Sequence, residues 1–432
     1  MKDHQAIPLG AAPLLFLLVS VPAGGGEARA ASVLHFVGWK SEAPRVWDEA
    51  IAEFERRNGV RVVREVGPSS STQFHDLLAQ KLKNRDRSLD VFLMDVIWPA
   101  EFASAGWALP LDRFFDRAAQ DEFLEAPLEA GRYGGRIYGV PLFIDAGVLY
   151  YRADLLAKYR LEPPRTWTHL VEQARTIVAR ERDASLAGYS GQFKQYEGLV
   201  CNMMEFIFAN GGALWDQARL RSAVDGPRAV EAVRFVRDRI IHGIAHRGVL
   251  AYEEPESLTL FVQGRAVFHR NWPYAWAVAN DLSQSRIAGR VGMIPLPGFT
   301  PGSGAGALGG WHLAISRFSR NPDLAWRFVA FMTGEEIQRR IALSTGRAMT
   351  RKALYRDGEL LRRMPQLESL REVFEGAIPR PATPVYAPLS SILQRYFSAV
   401  LARPEIDLRR RADFAGREMN RVLDLLRREP ER

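Results

Sequence analysis

The sequence predicts an α/β protein made of two lobes, with the chain crossing between them more than once. Residues 33–96 alternate apolar patterns in the order β-α-β-α-β, which implies a parallel sheet with helices on both faces. Two interior breaks, near residue 145 and near residue 295, mark places where the chain leaves one lobe and later returns to it. At 432 residues, 47% apolar and 25% charged, the chain is long enough for two ordinary domains and is not compositionally disordered.

The elements follow in order. Val33 to Val37 reads as a short buried strand. A helix with Trp47, Ile51 and Phe54 on one face comes next and closes at Asn58-Gly59. Val60 to Val66 is a strand, and Gln73 to Asn84 a helix carrying Phe74, Leu77, Leu78 and Leu82. Asp90 to Val96 is a third strand, with Asp95 near its carboxyl end, where open α/β sheets bind ligands. Ile137 to Arg152 is strand-like and interrupted at Asp145-Ala146-Gly147. Helices are expected at Thr166 to Arg180, Glu197 to Asn210, Pro227 to Ile240 and Pro255 to Gln263. Val291 to Ile294 is a strand that runs into a Pro/Gly-rich stretch, Trp311 to Ile315 is another, and a helix starts at Asn321-Pro322.

The N-terminus joins Lys2, an apolar run from Ala11 to Val21 and small residues ending Ala28-Arg29-Ala30-Ala31. That order predicts a secretory signal cleaved after Ala30 or Ala31, and a periplasmic protein. The run is too short for a permanent membrane helix. Cys201 is the one cysteine, so no intrachain disulfide can form, and no cysteine stands at the cleavage site to carry a lipid. Set among Leu199, Val200 and Met203, its thiol is expected to be buried and inert. The net charge of +8 raises nucleic-acid binding as an idea. The basic residues are scattered, the one dense run being Arg409-Arg410-Arg411, and only seven of the 58 are lysine. A solvated basic surface with no nucleic-acid partner is the expectation.

Several motifs fail on context. Gly304-x-Gly306-x-x-Gly309 has dinucleotide spacing, but prolines precede it and an apolar strand follows. His242 and His246 could share a helix face, yet a zinc site needs three or four ligands and none stands nearby. No phosphate loop and no nucleophile elbow is present. Trp272-Pro273-Tyr274-Ala275-Trp276 sets three aromatic rings around a proline, with Asn271 as the expected N-cap of a helix through Ala279. Those rings either anchor a core helix or offer flat faces to a sugar ring.

Six segments in order resemble the extracellular solute-binding proteins of sugar ABC importers, in their maltose/trehalose-binding branch. They are Asp90 to Trp98, Tyr138 to Tyr151, Gln195 to Leu199, Asn271 to Tyr274, Gly309-Gly310-Trp311 and Arg380 to Tyr386. The resemblance implies a two-lobed periplasmic-binding-protein fold with crossing hinge segments and an interlobe ligand cleft. With the two breaks it suggests a signal peptide over 1–31, an N-terminal lobe of 32–143 plus 296–345, and a C-terminal lobe of 144–295 plus 346–432.

The resemblance also implies ligand roles. Asp95 and Asp145 would accept hydrogen bonds from sugar hydroxyls, with Glu42 as a further acceptor. Arg380 would donate through its fork. Trp272, Tyr274 and Trp311 would supply faces or polar edges, and the Gly310 backbone would approach the ligand closely. Taken alone, Asp95 and Asp145 could equally be turn residues, Arg380 a solvated loop arginine and Trp311 core, while Gln195-Tyr196-Glu197 shapes a rim or starts a helix. One departure stands out: Phe74-His75 occupies the place where disaccharide-binding members tend to carry arginine, which puts trehalose in doubt. The expected protein is a monomeric carrier with no catalytic residue, cofactor or metal. It would capture a disaccharide or short oligosaccharide and deliver it to permease subunits driven by a cytoplasmic ATPase. The rivals are a secreted glycoside hydrolase and a binder of a glycerol-phosphate-type solute.

Overall fold

The computed structural model describes residues 32–39 and 44–428. Nine strands build two sheets. They are β1 (Val33–Trp39), β2 (Arg61–Gly67), β3 (Val91–Asp95), β4 (Val140–Ala146), β5 (Val148–Arg152), β6 (Ala187–Ser190), β7 (Ala266–Asn271), β8 (Val291–Pro295) and β9 (Leu308–Ile315). The first sheet has the order β2-β1-β3-β9-β4 and the second β8-β5-β7-β6. Strands β2, β1 and β3 are parallel, as the β-α-β-α-β pattern predicts. β9 then joins antiparallel to both β3 and β4. A strand that returns after some 150 residues in the other lobe is free of the right-handed crossover that keeps consecutive strands parallel.

The expected break at 145 narrows to one residue. β4 ends at Ala146, β5 begins at Val148, and Gly147 carries the chain from one sheet to the other. Residues 296–307 bring it back. Gly147 and Gly306 pass so closely that a Cβ on Gly306 would lie 2.4 Å from the Gly147 carbonyl oxygen. Gly304 and Gly306 of the rejected dinucleotide spacing thus serve backbone contact at the crossing. Helix Gln366–Glu375 packs against both β4 and β8, and helices Tyr386–Ala402 and Leu408–Arg428 finish the chain against the second lobe.

Amphipathic spacing explains the helices. In Ser71–Lys83 the residues Phe74, Leu78 and Leu82 are buried along one face. Thr166 caps Trp167–Glu181 by accepting from the His169 N–H. Asn271 is a correction: it ends strand β7 and is fully buried, and the helix begins at Ala275. Its Oδ1 accepts from the Trp272 N–H and its amide nitrogen meets His269, since a buried amide must be satisfied inside the sheet. His242 and His246 turn to separate partners, the Leu401 carbonyl and the Tyr252 hydroxyl. Among the described residues no helix is long and apolar enough to cross a membrane.

Candidate functional site: an interlobe cavity

A cavity of about 740 Å3 opens between the two sheets, and Asp95, Asp145, Trp272, Tyr274, Gly310, Trp311 and Arg380 all line it. Strand register builds the first wall. β9 sets Trp311 opposite Asp95 in β3, and Gly309 opposite Asp145 in β4. Gly310 has φ +135°, and a Cβ there would stand 2.7 Å from the Phe143 carbonyl oxygen, so only glycine lets the strand pass. Half-buried Trp311 packs against Trp39 and Trp98, with ring centroids 4.4 and 5.2 Å away, and also faces the cavity. It is part of the packing and part of the lining at once.

Buried Arg380 joins the two sides. Its Nη2 donates to Asp95 Oδ1 and its Nη1 to Glu197 Oε1, each at 2.9 Å, while its Nε–H has no hydrogen-bond partner. Glu197 opens helix Glu197–Ala209 in the second lobe and also accepts from the hydroxyls of Tyr386, at 2.7 Å, and Ser390. Its backbone N–H donates to Thr72 Oγ1 of the first lobe at 3.2 Å. Burial is the main reason that Asp95 is pushed up to about 6; Arg380 opposes the shift and Glu197 adds to it. Asp145 accepts from Arg347 at 3.2 Å, and the Arg347 guanidinium lies over the rings of Phe143 and Tyr274, 4.3 and 5.0 Å from their centroids.

The second wall rests on Trp272. Its indole N–H donates to Glu254 at 3.0 Å, and its ring is backed by the Arg270 guanidinium 4.0 Å from the centroid. Arg270 is fully buried, paired with Glu205 through Nε at 2.9 Å and through Nη2, and bonded to Gln192 at 3.2 Å. Gly309 keeps room for this ring, since a Cβ would come within 3.1 Å of it. The arrangement offers flat aromatic faces and carboxylate acceptors around a concave volume.

The profile of the bacterial extracellular solute-binding proteins matches residues 38–339. The chain belongs to this family. Its two-domain α/β fold is that of a non-catalytic binding protein. A probable ABC transporter-binding protein of Deinococcus radiodurans is 35% identical over 346 residues, 79% of this chain and 81% of that one. The maltose-bound MalE3 of T. maritima is 36% identical with a TM-score of 0.84, covering 92% of this chain and all of that one. A Thermotoga lettingae solute-binding protein bound with α-D-tagatose reaches a TM-score of 0.81 at 22% identity, over 91% of this chain and 100% of that one, which is likeness of fold.

Of the residues singled out in this solute-binding protein from sequence, seven share the cavity, and Glu42 lies outside the described residues. The signal segment lies outside them as well. The rival reading of Arg380 as a solvated loop arginine fails because the residue is buried, and the fork expected to face the ligand is instead held through both Nη nitrogens by Asp95 and Glu197. Phe74 is buried against the Trp39 and Trp98 rings, and His75 pairs with Glu101 at 2.9 Å. Cys201 borders the cavity, and burial pushes its thiol above the ordinary range, away from nucleophilic use. Sequence reasoning gave no role to Glu254, Arg347 and Trp39, and read Glu197 as a rim residue or a helix start without its ion pair. Glu197 stood within a quoted segment, but its role depends on partners far along the chain.

Proposed function

We propose that this solute-binding protein captures a neutral disaccharide or short oligosaccharide in the interlobe cavity and delivers it to an ABC-type permease. The observation that supports this most is the meeting, in one volume, of aromatic rings from both lobes with carboxylates at their edges. Trp311 and Trp272 supply faces to the C–H surfaces of a sugar, Asp95 and Asp145 accept from its hydroxyls, and Arg380 at the cavity wall holds Asp95 in place. The maltose held by the T. maritima relative favours a glucose disaccharide. Phe74-His75, where disaccharide-binding members tend to carry arginine, counts against trehalose and leaves another disaccharide or a longer glucan. The chain changes lobe at Gly147, three residues beyond the break expected after 143, and returns over residues 296–307, and the mature periplasmic chain begins after Ala30 or Ala31.

Binding then works by population shift. Contacts from both walls are satisfied together only when the lobes approach, so ligand favours the closed form. Gly147 and residues 296–307 are the hinge, and the Thr72–Glu197 hydrogen bond is a contact made on closure. A thermal-shift screen over maltose, trehalose, maltotriose and a glycerol phosphodiester tests this. Maltose or maltotriose should raise the melting temperature, because a ligand confined to the native state stabilises it. A shift with the phosphodiester alone, or release of nitrophenol from an aryl glucoside, would refute the sugar carrier.

A further inference from the structure

Two hollows in the first lobe, sharing no residue with the ligand cavity, meet at Arg317. The larger, about 600 Å3, sets Arg113, Arg136 and Arg317 around Leu109 and Pro110, with Asp112 its one carboxylate. The smaller, about 310 Å3, is edged by Lys83, Arg85 and Arg317 beside Trp107 and Phe318. Five cations therefore face two adjoining hollows against a single acid. They arrive from separate stretches of chain: the end of helix Ser71–Lys83, the loop before residue 113, the hairpin at Arg136 and the end of β9. Lys83, Arg85, Arg136 and Arg317 make no ion pair and no side-chain hydrogen bond among the described residues. Arg113 has only an exposed contact with Asp323 at 3.6 Å, and its guanidinium lies over the Phe114 ring. In the ligand cavity, by contrast, Arg347 and Arg380 are both committed to carboxylates.

We propose that these hollows form one site for a ligand bearing two or more phosphate-type oxyanions. Guanidinium forks match the tetrahedral oxyanion bidentately, and several uncompensated cations in a concavity raise the local positive potential. A single small anion would engage one hollow; linked oxyanions engage both through the shared Arg317. Such groups come from a free oligophosphate or from headgroups at a phospholipid surface.

Calorimetry of the full chain with inorganic tripolyphosphate tests the site. The parent is compared with a groove variant (Arg113→Gln, Arg136→Gln, Arg317→Gln) and with a charge-matched control on the last helix (Arg410→Gln, Arg411→Gln, Arg417→Gln). The groove variant should bind at least about tenfold more weakly and the control within about twofold of the parent, as direct contacts outweigh diffuse charge. Sugar-induced thermal shifts should be equal in all three proteins. In a parallel arm, sedimentation with phosphatidylglycerol rather than phosphatidylcholine vesicles, lost in the groove variant without tripolyphosphate binding, assigns the site to headgroups. Binding of neither probe, or equal weakening in both variants, overturns the proposal.

Discussion

The two walls of the cavity are held in place by different physics. On the first, backbone pairing does the positioning: the β3, β9 and β4 ladder fixes Asp95, Trp311, Gly309 and Asp145 relative to one another. On the second, Trp272 stands just past a strand end and leans on Arg270, a fully buried cation whose counter-charge is Glu205. Glu205 Oε1 also accepts from the Ala307 N–H at 3.0 Å, in the returning segment, and a Cβ on Gly147 would lie 2.0 Å from that same oxygen. One buried ion pair thus touches the ligand-facing indole and both crossings. The contrast teaches that damage to the first wall stays local, while damage to the second reaches the hinge.

The sharpest way to break that contrast is Glu205→Ala. It strands Arg270 without a counter-charge in the interior, and a loss of about 3–5 kcal/mol is expected in urea unfolding. Replacing both partners, with Glu205→Leu and Arg270→Met, should recover much of that stability while leaving sugar affinity reduced, because the indole loses its backing. A loss below about 1 kcal/mol for Glu205→Ala would mean that packing, and not charge, holds the second wall.

On the first wall the comparable test is Gly310→Val. A β-branched side chain at φ +135°, with its Cβ 2.7 Å from the Phe143 oxygen, strains the ladder at one point. The expected cost is about 1–3 kcal/mol of stability, with the hydrogen exchange of second-lobe strands unchanged. Protection lost equally in β5 and β7 would erase the proposed difference between the walls. Trp272→Ala tests the ligand face itself. Half-buried and backed from below, it should weaken sugar binding about ten- to a hundredfold by calorimetry, with a smaller effect on unfolding than Glu205→Ala.

Much of the first wall was legible in the sequence, and little of the second. Asp95 could be placed because strand periodicity ends there, and β9 was recognised from Trp311 onward. Its true start at Leu308 was hidden by Gly309 and Gly310, poor strand formers that the ladder tolerates because their missing side chains make room for Trp272 and Phe143. Glu197 was read as a helix start, which it is, yet its partners Arg380 and Tyr386 lie 183 and 189 residues away. Nothing local announces such a partner. Arg347 follows Gly346 at a helix end, and only the fold lays it over Phe143 and Tyr274. Local pattern reports elements; the long-range ion pairs that orient the site leave no period to read.

A pH-dependent effect concerns the link between the walls, where Arg380 stands between Asp95 and Glu197. Asp95 is raised from 3.8 in the unfolded chain to about 6 in the fold, chiefly by burial, against the pull of Arg380. A raised carboxyl binds its proton more tightly when folded. Its contribution to stability is therefore full below pH 3.8 and is lost as pH rises through about 6. Asp95→Asn lacks that proton equilibrium, so the variant should gain on the parent as pH rises from about 4 to about 7.5. Paired urea titrations read the difference. A constant gap between the two proteins would mean that Arg380 keeps Asp95 ionised throughout, and that the bridge between the walls is a permanent ion pair with no acid-sensitive step.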